Sequence, residues 1–206
     1  SAKICHDLAG IIGTIDNCIN LLNIDNEEIR KKSENLMQLE SGNLVNKIRF
    51  FRSVYGSYDS DTMMSIVALS KLIRDYFSNS DVTIRLNNQE GVLYISSMLA
   101  KAINAISTIA SDSIYNKGQI DFDVVGNNDM VKIDITATGK RLLLEEESLK
   151  AFSSNTKRRV NIRNCREHYI KSLLASIGYE TSIDFAADNI KYSLKKIMFK
   201  IINLLE

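Results

Sequence analysis

The chain has 206 residues, with 26 Lys and Arg against 25 Asp and Glu, three cysteines and no proline. Hydrophobic residues at 45% and charged residues at 25% are typical of a globular protein, and the length suits one large or two small domains. The net charge of +1 argues against a dedicated nucleic-acid binder and against an electrostatic pull toward a membrane surface. No apolar run is long enough for a membrane span or placed like a signal peptide, so we expect a cytoplasmic protein.

The three cysteines, Cys5, Cys18 and Cys165, are too few and too scattered for a disulfide framework or a zinc site. We expect them to be small apolar fillers of the core. The sequence therefore predicts no metal site.

The first quarter of the chain predicts a helical hairpin. Residues 1–24 carry apolar side chains at steps of three and four, which lie on one face of a helix; they are Ile4, Leu8, Ile12, Ile15, Ile19 and Leu22. Asp25 or Asn26 is placed to cap a second helix that runs to about Tyr55. Two long helices joined by so short a connection form an antiparallel pair with one apolar face uncovered. We therefore expect a homodimer in which two hairpins form a four-helix bundle.

The polar stretch 56–61 predicts a boundary between a hairpin domain, 1–56, and a second domain, 62–206. In the second domain the pattern predicts, in order, a helix over 62–78, a strand over 82–86, a helix over 92–115, a β-hairpin over 119–125 and 130–136, helices over 142–152 and 162–176, and strands over 180–186 and 190–197. The predicted fold class is α+β, with a helical hairpin followed by an α/β sandwich whose helices pack on one face of a single sheet.

His6 is the first candidate functional residue. It lies two residues, about 200°, from Ile4 and from Leu8, so it points away from the apolar face of its helix. The same side of the helix carries small or polar residues, namely Ala9, Gly10, Gly13 and Asn17. Glycine inside a helix costs about 1 kcal/mol relative to alanine, so two of them indicate a use. They suit either a tight helix contact or a bare surface where another protein approaches an exposed, nucleophilic imidazole.

These residues resemble a known family. Cys5-His6-Asp7-Leu8-Ala9-Gly10 is similar to the phosphoacceptor box, His-Asp-Leu-x-Gly-Pro, of bacterial histidine phosphotransferases that are built like a histidine kinase. Arg49-Phe50-Phe51-Arg52 resembles the Arg-aromatic-aromatic-Arg segment that ends the second helix of that family. The resemblance implies that His6 accepts phosphoryl from a receiver-domain aspartate and passes it to a response regulator, with Asp7 assisting. It also implies that the receiver supplies Mg²⁺, so this chain holds no cofactor of its own.

The same resemblance implies that the second domain is a degenerate ATPase-like domain. Active kinases of this build use two Asn four residues apart to hold magnesium, and Asp-x-Gly-x-Gly to hold adenine. Here the paired positions carry Asn104 and Thr108, and the second motif reads Ala137-Thr138-Gly139-Lys140-Arg141. We therefore expect no ATP binding and no ATP-dependent autophosphorylation.

Several residues around His6 are expected to contact a receiver domain; they are Lys3, Gly10, Gly13, Asn17, Arg49 and Arg52. Asp7 has two interpretations. It either orients or deprotonates the imidazole of His6, or it pairs with Lys3 one turn back along the helix. The proline of the family motif is replaced by Ile11, so the first helix is expected either to run straighter or to bend at its glycines.

Other residues have mainly structural interpretations. We expect Phe50 and Phe51 to pack in the bundle core or against the second domain, and His168 to be structural or at the surface. The basic residues Lys157, Arg158, Arg159, Arg163 and Arg166 form either a solvated face or a second patch for an acidic receiver. Two other functions remain open, a dimeric adaptor that binds receivers without chemistry and a divergent sensor histidine kinase core.

Overall fold

A computed structural model describes residues 2–57, 62–88, 91–127, 130–143, 146–153, 160–161 and 164–197, apart from the side chains of residues 2, 3, 147 and 153. Within these residues the chain forms, in order, α1 (Ala2–Leu21), α2 (Glu27–Tyr55), β1 (Met63–Ser65), α3 (Ile66–Phe77), β2 (Asp81–Asn88), β3 (Tyr94–Ser96), α4 (Ser97–Ser113), β4 (Lys117–Gly126), β5 (Val131–Thr138), α5 (Glu146–Ser153), α6 (Cys165–Ser176), β6 (Tyr179–Phe185) and β7 (Asn189–Lys196). The predicted order of helices and strands is confirmed, with two short strands in addition.

Helices α1 and α2 form the predicted antiparallel hairpin. The cap of α2 is Asn26, whose Oδ1 accepts hydrogen bonds from the backbone N–H groups of Glu28 at 3.0 Å and Ile29 at 3.1 Å. Glu27 and Glu28 add negative charge at the positive end of the helix dipole. Helix α1 runs without a break from Ala2 to Leu21 and so passes through Ile11, the position of the family's proline.

The buried face of α1 differs from the predicted one at two positions. Ile11 and Cys18 are buried, at 7% and 2% exposure, whereas Ile12 and Ile19 remain 53% and 48% exposed. Neighbouring residues on a helix point about 100° apart, so a shift of one residue moves the side chain to the flank. The predicted stripe is wrong there because α1 packs on α2 through the 11/18 positions, which leaves an apolar flank uncovered.

The second part of the chain is built on a five-stranded sheet in the order β2-β4-β5-β7-β6. Strands β2 and β4 are parallel and the other neighbours are antiparallel, including the predicted β4/β5 hairpin. One face of the sheet carries the apolar core, of which Phe122, Ile135 and Tyr192 are fully buried representatives. This confirms a main sheet with its helices on one face, but the prediction of a single sheet is wrong, because β1 and β3 pair as a separate two-stranded sheet.

The opposite face of the sheet is polar, and Asp134 is its most enclosed acid. Its Oδ2 accepts hydrogen bonds from Lys132 Nζ at 2.7 Å and Lys191 Nζ at 2.9 Å. Burial alone would raise the pKa of the Asp134 carboxyl, but hydrogen bonds from Lys132, Lys191 and Ser193 lower that pKa to about 2. The carboxylate is therefore charged at neutral pH and holds two strands together.

The two short strands β1 and β3 correct the predicted helix starts. They pair antiparallel, with Met64 opposite Ile95, and each leads directly into a helix. The helices predicted over 62–78 and 92–115 therefore begin later, at Ile66 and Ser97. The correction follows from serine caps, because Ser65 Oγ accepts from the N–H of Ala68 and Ser96 Oγ accepts from that of Leu99.

The last turns of α2 are fixed to the helices of the sheet part. The ring of Phe50, which is fully buried, stacks on Tyr76 of α3 with centroids 3.8 Å apart. Asn104 of α4 donates to Ser53 Oγ at 2.9 Å, and Tyr169 of α6 donates to the carbonyl of Val54 at 2.7 Å. We call these contacts the α2 junction. They confirm the interpretation of Phe50 as a core residue that contacts the second part of the chain.

The cysteine prediction holds for one residue of three. Cys18 is a buried filler, whereas Cys5 and Cys165 are exposed, so the core interpretation is wrong for those two. The described residues contain no group of three or more His, Cys, Asp or Glu side chains placed to hold a metal ion. No helix in the described ranges has the length and apolarity that a bilayer span requires.

Candidate functional site

His6 lies on the second turn of α1 with its side chain 90% exposed. Its Nδ1 is 3.4 Å from Oδ1 of Asp7, whose side chain is 24% exposed. With the proton on Nδ1 directed at this carboxylate, Nε2 carries the free lone pair and faces solvent. The imidazole is thus held from one side and accessible from the other, which is the arrangement that a nucleophilic histidine requires.

The charge of Asp7 also acts on Tyr76 of the α2 junction. Burial raises the pKa of the Tyr76 hydroxyl far above its usual range, and the negative charge of Asp7 raises it further. Asp7 therefore lies within electrostatic reach of α3 as well as beside the imidazole. The contact with His6 favours the orienting role of Asp7; the competing pair with Lys3 involves a side chain that lies outside the described residues.

The helix face next to His6 is bare. Ala9, Gly10, Gly13 and Asn17 are all exposed, and a Cβ added at either glycine would meet no atom within 4 Å. The glycines therefore make no tight helix contact within this chain. The interpretation as a tight helix contact within the chain is therefore dropped. The remaining interpretation is an open surface beside the imidazole that another molecule can approach.

Arg49 and Arg52 lie on the opposite helix of the hairpin, and both are exposed. Arg52 lines an open, mainly apolar groove of about 540 Å³ between the start of α1 and the end of α2. The groove is lined by Ile4, Leu8, Ile48, Phe51, Arg52, Tyr55 and Gly56. The structure thus brings Arg52 to the end of the hairpin that carries His6.

The side chains at the kinase-like nucleotide positions are buried or hydrogen-bonded within the chain. Asn104 is fully buried and donates to Ser53 of α2, and Thr108 Oγ1 donates to the carbonyl of Ala105 at 2.8 Å. Ala137 is fully buried and has no polar side chain to offer. A Cβ on Gly139 would come within 2.9 Å of Ile114 Cβ, so this glycine serves a close packing contact.

Helix α6 closes over the end of α4 through contacts that sequence reasoning missed. Arg166 donates to Asp112 Oδ2 at 2.7 Å and is half-buried, so it is not part of a solvated basic face. Burial by itself would lower the pKa of this guanidinium, but the hydrogen bond with Asp112 and the charge of Asp112 raise it. The other members of the basic run, Lys157, Arg158, Arg159 and Arg163, lie outside the described residues.

His168, the other histidine of the chain, has a structural setting. It is half-buried on α6, and its Nε2 is enclosed with no hydrogen-bond partner among the described residues. Since a phosphoacceptor nitrogen must be reachable by its donor, this placement agrees with the structural interpretation of His168.

Comparisons with known proteins agree with the sequence resemblance. A bacterial phosphotransferase of known structure superposes with a TM-score of 0.77, at 18% identity, over 94% of this chain and 92% of its own. The histidine kinase AdeS of Acinetobacter baumannii gives 0.51 at 10% identity over 97% and 98%, and the catalytic domain of the histidine kinase ThkA gives 0.51 at 10% over 66% and 93%. At these identities the likeness concerns the fold alone.

A search of curated proteins finds no match. The sequence profile of the histidine phosphotransferase C-terminal domain matches residues 68–189, which is more than half of the chain. The protein therefore belongs to the histidine phosphotransferase family.

Proposed function

We propose that this protein is a phosphoryl carrier of a multistep His-Asp phosphorelay. His6 accepts phosphoryl from an aspartyl phosphate on a receiver domain, such as that of a hybrid histidine kinase, and passes it to a response regulator. The observation that carries the proposal is the 90% exposed imidazole of His6 with Asp7 at its Nδ1, beside a bare helix face, in a chain of this family.

The transfer step follows from this geometry. Nε2 of neutral His6 attacks the phosphorus of the acyl phosphate, an N–P bond forms, and the P–O bond to the receiver aspartate breaks to release its carboxylate. The proton on Nδ1 stays between the imidazole and Asp7, where the carboxylate stabilises the positive charge that the ring gains. The reverse attack by a second receiver's aspartate restores neutral His6. We propose that the Mg²⁺ for both steps is held by the receiver and not by this chain.

The proposal excludes ATP as the phosphoryl source. Its support is the engagement of Asn104 with Ser53 inside the α2 junction and the replacement of the adenine-binding aspartate by buried Ala137. A divergent kinase would need an amide at position 104 facing a nucleotide. Here the side chain is fully buried and its nitrogen donates to Ser53, so its oxygen, the atom that would bind magnesium, is enclosed and does not face a nucleotide.

We further propose that the hairpin dimerises. Ile12, Ile19, Leu39 and Ile48 are 53%, 48%, 54% and 43% exposed in the single chain, an apolar area that a second hairpin would cover. The dimer leaves the His6 side of α1 free, because Ile12 and His6 lie about 120° apart around the helix. Lys3, Gly10, Gly13, Asn17, Arg49 and Arg52 then form the receiver-docking surface.

A transfer assay tests the carrier function. A panel of receiver domains carrying radiolabelled phosphoryl is mixed with the wild-type protein, with His6→Ala and, as the matched control at the other histidine, with His168→Gln. We expect label on the wild type and on the control, none on His6→Ala, and none on any of them from ATP alone. Label from ATP would establish a divergent kinase. Receiver binding without transfer, equal in the wild type and His6→Ala, would establish a binding adaptor.

Light scattering tests the dimer separately. We expect the wild type to elute with the mass of two chains and Ile12→Lys with the mass of one, because lysine on the apolar flank places a charge in the proposed bundle. Val67→Lys, on α3 where Val67 is 79% exposed, is the matched control and should leave the mass unchanged. A wild-type mass of one chain would refute the bundle.

A further inference from the structure

A cavity of about 860 Å³ lies at one end of the sheet, where β2 and β4 begin and β5 ends. It is lined by Asp81, Thr83, Ile114, Tyr115, Lys117, Gly118, Gln119, Thr138, Gly139, Lys140 and Arg141. None of these residues belongs to the hairpin that carries His6. The cavity is therefore separate from the residues proposed for phosphoryl transfer.

The cavity opens on the polar face of the sheet. Thr83 is paired with Gln119, and Gln119 with Thr138, so these three form one row across β2, β4 and β5. The next row, with Ile120 opposite Ala137, faces the apolar core. Since side chains alternate along a strand, the cavity row and the core row point to opposite faces. The strand side chains at the cavity thus point away from the core side, where Ala137 stands at the kinase adenine position, and the core touches the cavity only at its edge through Ile114.

Two glycines keep the walls of the cavity close together. Gly118 has a φ of +146°, and a Cβ there would overlap the carbonyl oxygen of Thr138. A Cβ on Gly139 would press on the side chain of Ile114. A larger residue at either position would force β4, the end of β5 and the end of α4 apart. The exposed ring of Tyr115 therefore stands next to strand backbone at the cavity, whereas the side chain of Ile114 is 1% exposed and belongs to the core.

Of the four charged residues that line the cavity, two form an ion pair with each other. Lys117 Nζ is 3.2 Å from Asp81 Oδ2, so this lysine and the acid neutralise each other. Lys140 and Arg141 are exposed and form no ion pair within the part of the chain that the structure describes. The exposed Tyr115 ring thus forms an apolar wall beside two cations that have no acidic partner among the described residues, which is complementary to a ligand with a flat apolar body and a negative end.

We propose that this cavity binds a small organic anion, with an aromatic or other flat apolar body against the ring of Tyr115 and a carboxylate, sulfonate or phosphate group at Lys140 and Arg141. Arg141 occupies the position of the second glycine in the kinase motif. The substitution that departs from the nucleotide motif thus supplies a cation to a site on the other face of the sheet.

The test uses anilinonaphthalene sulfonate, a fluorescent aromatic sulfonate, with the full chain and backbone amide NMR spectra. We expect the amides of Gly118, Gly139 and Arg141 to shift, and the affinity to fall about tenfold in Lys140→Glu/Arg141→Glu, since attraction becomes repulsion. Lys31→Glu/Lys195→Glu, a remote charge-matched control, should bind as the wild type does. Thr83→Phe, which places a ring in the cavity at an exposed strand position, should also remove binding without unfolding the sheet.

Three outcomes would overturn the proposal. The first is an unchanged affinity in the Lys140/Arg141 double variant. The second is a set of shifted amides confined to the hairpin, which would mean that the dye binds the exposed apolar flank of α1. The third is inorganic phosphate alone shifting the same amides with equal affinity, which would reduce the cavity to a general anion site without a role for its apolar wall.

Discussion

The substitution Phe50→Ala tests whether the α2 junction holds the hairpin against the sheet part. Phe50 is fully buried, stacks on Tyr76 at 3.8 Å between centroids and meets Phe51 edge-on at 6.2 Å. Truncating a buried phenylalanine costs about 3–5 kcal/mol, including the cavity left behind. In a chain of this length each kcal/mol lowers Tm by about 2–4 °C, so we expect a fall of about 6–20 °C.

The matched control is Phe51→Ala, one residue along the same helix. Phe51 is only half-buried, so its truncation should cost about 1 kcal/mol. Circular dichroism at one fixed protein concentration measures both variants, because the stability of a dimer depends on concentration. An equal fall in Tm for the two variants, or no fall for Phe50→Ala, would refute the assignment of Phe50 as the central side chain of the junction.

Three further predictions concern charged groups. The pKa of Asp134 is lowered from 3.8 to about 2, so the charged carboxylate stabilises the fold fully above about pH 4 and this stabilisation is lost as pH falls toward 2. In acid unfolding curves, Asp134→Asn should therefore lose less stability between pH 4 and 2 than the wild type does. Parallel curves for the two proteins would contradict this prediction. Arg166→Ala should lower the urea unfolding free energy by about 1–2 kcal/mol because it removes a charge-assisted hydrogen bond from the half-buried Asp112. Lys32→Ala, in a fully solvated pair, should change it by less than about 0.5 kcal/mol, and equal losses would contradict the burial of the first pair. Asp7→Asn should slow phosphoryl transfer to His6 about tenfold in rapid-quench assays and leave receiver affinity unchanged, because the carboxylate beside Nδ1 is lost. An unchanged rate would show that Asp7 does not assist the transfer.

Local signals in the sequence predicted much of the fold. Asn26 followed by two glutamates marks the start of α2, and the alternating runs around residues 126–129 mark the β4/β5 hairpin. Each of these signals depends on residues within a few positions of one another, so no knowledge of the tertiary structure is needed. The same holds for the exposure of His6, which follows from its angle to the apolar face of one helix.

The features that the sequence could not predict depend on distant partners. The choice between Ile11 and Ile12, or between Cys18 and Ile19, as the buried residue is decided by how α1 rests on α2, since both phases satisfy a step of three or four. Strands β1 and β3 are three residues long and pair between Met64 and Ile95, which are far apart along the chain, so neither shows an alternating pattern of its own. In the sequence, Arg166 is one member of a basic run, and only the fold shows that it pairs with Asp112, 54 residues away.

Asn104 illustrates why a residue that matches the kinase motif is, by itself, weak evidence for a nucleotide site. Its side-chain amide is fully buried and donates to Ser53, 51 residues earlier, while its Oδ1 has no partner among the described residues. A buried amide loses free energy if its donors are left unpaired, so the bond to Ser53 gives the asparagine a structural reason to persist without any ligand. Its Oδ1, the atom with which an asparagine binds magnesium, is enclosed in this structure. The presence of Asn104 is therefore compatible with a phosphotransferase that does not bind ATP. Although the residue matches the kinase motif, its side chain contributes to the junction that holds the hairpin of His6 in place.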